Sequence, residues 1–192
     1  MSFVFTGPSG EAPSAIAILL LATTPSLRAD WKYSANRYDL RVVTTTADGT
    51  SPDGPVKTKL VIQYSPAKDG TMTVEFIVEG AAKMKGFGYA AFEGPDAVAA
   101  RAALARIVVE RRGAKPLALQ TKVVGWHLDD AFHFAANETN AHPAELLQAV
   151  RAIQSGAAKV SVSVQDFKDA KKQVRADFAT DGAADALTKL LK

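Results

Sequence analysis

The 192-residue chain contains no cysteine. Disulfides, thiolate metal centres and cysteine nucleophiles are therefore excluded, and the fold must be held by packing. Charge of one sign is also scarce. The 23 Lys and Arg oppose 20 Asp and Glu, and the longest basic runs are the pairs Arg111-Arg112 and Lys171-Lys172. A nucleic-acid tail or a polybasic membrane patch needs a denser run than that. No G-x-S-x-G elbow, Walker loop, dinucleotide glycine fingerprint or H-E-x-x-H helix occurs. The chain therefore reads as noncatalytic, without a cofactor signature. No apolar run approaches the roughly 20 residues that a bilayer-crossing helix requires, so no stable membrane span is expected.

What is present points first to export. Residues 15–22 (AIAILLLA) are an unbroken apolar run, followed by TTPSLRA ending at Ala29. This has the length and the small-residue exit of a secretory signal, so residues 1–29 are expected to be a signal peptide with cleavage after Ala29. Residues 1–14 depart from that pattern, with no Lys or Arg and with Glu11. A buried helix at residues 16–21 is the alternative. With 47% apolar residues, residues 30–192 suffice for one α+β domain, expected in the periplasm or secreted.

Within that domain the prevailing period is two. Tyr38, Leu40 and Val42 alternate with charged residues, as do Leu60, Ile62 and Tyr64, and Met72, Val74, Phe76 and Val78 share one face. These read as strands of an antiparallel meander, with ADGTSPDGP (residues 47–55) as a loop. Helical signals appear after Gly94-Pro95, at residues 143–154 behind Pro143 with His142 as cap, and at residues 183–191 capped by Asp181. Between the last two, Val160, Val162 and Val164 alternate with serines, and residues 174–178 return as a second strand. The expected fold is a mostly antiparallel sheet with two or three packing helices.

Two groups of residues could carry chemistry. The octet KGFGYAAF (residues 85–92) resembles the RNP1 signature of RNA recognition motif domains. That resemblance implies Lys85 on a phosphate and Phe87 and Tyr89 stacked on bases. FEGPDAVAARAALA and GAKPLAL, further on, are similar to the second helix and last strand of that family. Upstream the pattern departs: only six residues join Tyr64 to Thr71, which leaves no room for the required helix, and LVIQY is not an RNP2 strand. The alternative is that Gly86 and Gly88 mark a bent strand whose aromatics enter the core, in which case nucleic acid is not a partner.

The second group is His127, His133 and Asp129. If residues 129–131 form a three-residue hairpin loop, the two imidazoles stand opposite one another on a polar face, with Asp129 offering oxygen to a zinc or copper ion. A solvated strand face is the alternative. The final 33 residues, VSVSVQDFKDAKKQVRADFATDGAADALTKLLK, are similar to the end of small secreted bacterial proteins of the invasion-associated locus B type, without their cysteines. The similarity implies an envelope-associated protein and transfers no site residue. Together these readings describe an exported, noncatalytic binding module whose partner is a protein or a small molecule.

Overall fold

Alternating apolar residues on successive segments give each strand one face to bury, and here all of those faces join in a single sheet. The computed structural model describes residues 30–192 except 67–69, 95 and 138–139, so the expected signal segment lies outside the described residues. The strands are β1 (Lys32–Ala35), β2 (Arg41–Ser51), β3 (Gly54–Ser65), β4 (Thr71–Val78) and β5 (Ala105–Arg111). They continue with β6 (Ala114–Thr121), β7 (Val124–Leu128), β8 (Ala131–Ala136), β9 (Ala157–Gln165) and β10 (Gln173–Ala179). The sheet order is β6-β5-β9-β10-β2-β3-β4-β8-β7, with β1 also on β2, and every named pair is antiparallel. Two helices, α1 (Pro143–Gln154) and α2 (Ala183–Leu190), complete an α+β arrangement dominated by strands.

Both helices lie on one side. Leu146, Val150 and Ile153 of α1 and Leu187 and Leu190 of α2 share a core with Phe76, Phe134, Val162 and Phe178 of the sheet. α1 touches β4 and also β5, β6 and β9, strands from opposite halves of the order. A helix diameter of about 10–12 Å can meet all four only if the sheet curls around it, so the sheet forms half a barrel with the helices inside. Its opposite face carries no described helix.

Three local expectations are corrected. Residues 47–55 are not an open loop: β2 and β3 run on to a tight turn at Pro52-Asp53, with Ser51 paired to Gly54. Gly54 supplies the left-handed φ of +118°, and the Ser51 hydroxyl accepts from the Asp53 amide, so the turn is satisfied internally. The Ala-rich segment after Gly94 forms a single 3-10 turn, Ala99–Arg101, before β5. Alanine's helix preference is overridden there because Ile107 and Val109 fill the core from a strand paired on both edges. At α2 the N-cap is Gly182, not Asp181, and no side chain caps it; His142 does occupy the N-cap of α1, before Pro143, likewise without a side-chain bond.

Candidate functional site

The β7–β8 hairpin decides which side chains meet. Its turn has two residues, Asp129 and Asp130, because Leu128 pairs with Ala131, and Asp129 takes the left-handed φ of +54°. A two-residue turn shifts the register by one relative to a three-residue loop and exchanges the faces of one strand. Trp126 therefore stands across from His133, and His127 across from Phe132. The expected His127, His133 and Asp129 site is not assembled: the imidazoles occupy opposite faces of the sheet. His127 instead bonds Glu93 at 2.5 Å through Nδ1 and sets its edge on the Phe132 ring. Asp129 is exposed in the turn. Among the described residues no group of three or more His, Asp or Glu could hold a metal ion.

The RNP1-like octet is likewise placed inward. Lys85 is exposed, but Phe87 and Tyr89 are each only 4% exposed. They pack on one another and, with Phe92, against Phe132 and Phe134. The segment is irregular and enters a 3-10 turn, Tyr89–Phe92, where a bent strand is the expectation. The glycines are needed for close approach of two acids. The Asp53 carboxylate accepts the Gly86 amide at 2.9 Å, Asp166 accepts the Gly88 amide at 2.6 Å, and a Cβ at Gly86 would come within 2.9 Å of Asp53. Burial pushes the Tyr89 phenol well above its ordinary pKa, with the Asp53 charge adding to the effect, as befits a ring in the core. Tyr89→Ala is accordingly expected to lower stability by about 3 kcal/mol, measured by urea titration, and to leave any single-stranded RNA binding at a weak, salt-sensitive level. Tight RNA binding abolished by this change at constant stability would contradict the placement.

The fold brings together residues that no motif in the sequence links. On the uncovered face Glu75 of β4 bonds His133 Nδ1 of β8, and both side chains are sheltered, 9% and 12% exposed. Trp126 of β7 stacks on the His133 ring, with centroids 5.3 Å apart and planes inclined by 20°. A carboxylate on Nδ1 orients the imidazole and leaves Nε2 as its remaining polar atom. The stack in turn braces an indole that stays 38% exposed, beside Leu128 at 55% on the same face. Around His133 the cross-strand and diagonal neighbours are Ile77, Trp126, Glu75, Glu79, Val124 and Leu128, none with a hydroxyl. Such a site can orient a ring and offer an apolar plate. The one clue in the sequence is Glu75 itself, a carboxylate in the middle of the apolar run MTVEFIV.

The same face has a second concavity where β2 and β10 part. They are paired only at Gly49–Ala176 and Thr50–Arg175, and a Cβ on Gly49 would lie 2.6 Å from the Arg175 carbonyl oxygen. Beyond that contact a crevice of about 680 Å3 opens, bordered by Thr46, Asp48, Lys57, Lys159 and Asp177. Of its charges, Lys57 pairs with Asp48, and Lys159 with Glu110 at 2.9 Å and Asp177 at 3.6 Å, while Glu79 also lines the crevice. Comparison with known proteins finds no family model, no curated protein and no solved structure that the chain matches.

Proposed function

We propose that this chain is an exported, noncatalytic binding module of the periplasm or cell surface, which engages its partner through the uncovered face of the sheet around Trp126. The observation that carries the reading is the braced indole. A tryptophan left 38% exposed, yet held by a stack on His133 and by the buried Glu75 behind it, is a preorganised contact surface, and it loses little freedom on binding. Export rests on the apolar run at residues 15–22 and its exit at Ala29. The described domain is anchored just beyond that point, where Trp31 is buried and donates through Nε1 to the Ala179 carbonyl at 2.8 Å.

Two measurements test it. Protein recovered from its native cells should begin near Asp30 and sit in the envelope fraction; a cytosolic chain starting at Met1 would overturn export. In a Trp31→Phe background Trp126 is the sole indole, and acrylamide should quench its emission readily. Trp126→Ala is expected to change stability by less than about 1 kcal/mol, as for a surface side chain. A buried, unquenchable Trp126, or a collapse of stability on its removal, would make it a structural residue and end the proposal.

A further inference from the structure

On the uncovered face, residues of the β1–β2 hairpin and the ends of β3 and β4 border a pocket of about 570 Å3. This lies within the roughly 300–1,000 Å3 typical of small-molecule sites. Its polar lining is made of neutral groups. Gln63 and Thr73 face each other across β3 and β4, as do Ser65 and Thr71 one step further on, and Asn36 approaches from the hairpin. Among the described lining residues there is no Asp, Glu, Lys, Arg or His. In the hairpin, Asp39 is bonded twice by Arg41, at 2.8 and 3.2 Å, and the Arg37 guanidinium lies over the Tyr38 ring, 4.7 Å from its centre; Lys68 and Asp69, between Ser65 and Thr71 in the chain, lie outside the described residues.

Tyr38 supplies the remaining element. It borders the pocket while 68% exposed, and an aromatic ring so placed carries an apolar plate with a polar tip. The loop that presents it is held by its own hydrogen bonds. The Asn36 side-chain oxygen accepts the amides of Tyr38 and Leu40 at 2.9 and 3.1 Å, the Asn36 amide donates to the Leu40 carbonyl, and Asp39 holds the left-handed φ of +56° that closes the turn. With its oxygen so used, Asn36 keeps its side-chain amide hydrogens for a ligand. Leu40 adds an apolar patch to the floor.

We infer that this pocket binds an uncharged polyhydroxylated ring, a neutral pyranoside, stacked by one face on Tyr38 with its hydroxyls on Asn36, Gln63, Ser65, Thr71 and Thr73. The chemistry selects this class. Hydroxyl and carboxamide groups both donate and accept, which matches sugar hydroxyls, whereas a phosphate or a carboxylate would enter without a countercharge from these groups. A purely apolar ligand would strand the polar groups of the floor. A pyranose has axial C–H groups for the ring and hydroxyls around its rim, so it answers both features together. The pocket shares the uncovered face with the Trp126 surface but none of its residues. Tyr38 adjoins β2, four strands along the sheet from the β7 that carries Trp126, and the pocket's Thr71 and Thr73 are on β4, two strands from it.

The test is saturation-transfer NMR on the full purified protein with methyl β-glucoside, cellobiose and N,N′-diacetylchitobiose, with glucuronate and glucose 6-phosphate as charged counterparts. At least one neutral sugar is expected to bind and to compete its charged counterparts out. Tyr38→Ala should weaken it about tenfold and Thr73→Val several-fold, each with an unchanged melting temperature, since one group is exposed and the other keeps its shape and strand preference. Trp126→Ala should leave sugar binding as it was. Absence of transfer to every neutral sugar, tighter binding of a charged one, or binding indifferent to Tyr38→Ala would overturn the inference. Binding lost in Trp126→Ala but kept in Tyr38→Ala would also overturn it, while leaving the Trp126 surface as the module's contact site.

Discussion

Phe134→Ala is expected to cost about 4 kcal/mol of stability, well within the range for truncating a fully buried aromatic ring. The ring is 1% exposed and touches the rings of Phe76, Phe87, Tyr89, Phe92 and Phe132, so five aromatic neighbours would border the cavity left behind. These neighbours come from β4, β8 and the irregular segment between β4 and β5, which cannot all close in at once. The urea midpoint should fall at an unchanged slope, as for loss of packing within the same native state. A loss under about 1.5 kcal/mol would mean that the cluster repacks and that Phe134 is not its centre.

This inward cluster and the outward site are two sides of one strand. β8 alternates, so Phe132 and Phe134 anchor the hairpin to the core, while His133 between them is delivered to the uncovered face. The position of Gly125 completes the arrangement. A Cβ there would lie 2.4 Å from the Phe132 ring, so only glycine lets β7 approach closely enough for Trp126 to lie over His133. The contact surface is thus held by packing on the far side of the sheet.

How much of this is legible in the sequence follows the range of the interactions. Period-two alternation identifies β2, β3, β4, β9 and β10, and Pro143 with Gly156 brackets α1, because each signal is local in the chain. The inward fate of Phe87 and Tyr89 also follows from the missing helix between Tyr64 and Thr71. The His127 and His133 expectation fails on one residue of turn length: Asp129-Asp130 and Asp129-Asp130-Ala131 are equally plausible loops by composition, yet they send the imidazoles to opposite or to common faces. Glu75 and His133 are 58 positions apart, so their contact exists only once β4 and β8 are in register. The strand at residues 105–111 is obscured for another reason. Its Ala-rich approach carries a local helix preference that pairing on both edges overcomes.

Asp166→Ala is expected to lower stability by about 3 kcal/mol at neutral pH and to flatten its dependence on acid. The carboxylate is 6% exposed and collects three backbone amides: Gly88 at 2.6 Å, Lys168 at 2.8 Å and Asp169 at 3.0 Å. It closes the β9–β10 turn and ties to it the segment that carries Phe87 and Tyr89 inward, so its removal loosens both and leaves sheltered amides without an acceptor. Desolvation raises its pKa, but the three amides and the Lys172 charge outweigh that, and the group is held below the ordinary carboxylate value. The sign follows. A folded-state pKa below the unfolded one contributes stability that is fully present above the unfolded value of about 3.9 and is lost as pH falls through the lower folded value. Asp177 is lowered as well, since bonds from Ser161 and Arg175 overcome its desolvation, so wild type has more than one source of acid sensitivity. The difference between wild type and Asp166→Ala isolates the one group. Urea midpoints taken from pH 7 to pH 2 should lie well apart at neutrality and converge below about pH 4. Curves that run parallel throughout, or a neutral-pH loss under about 1 kcal/mol, would show that the Gly88, Lys168 and Asp169 amides find other acceptors and that Asp166 does not hold the segment in place.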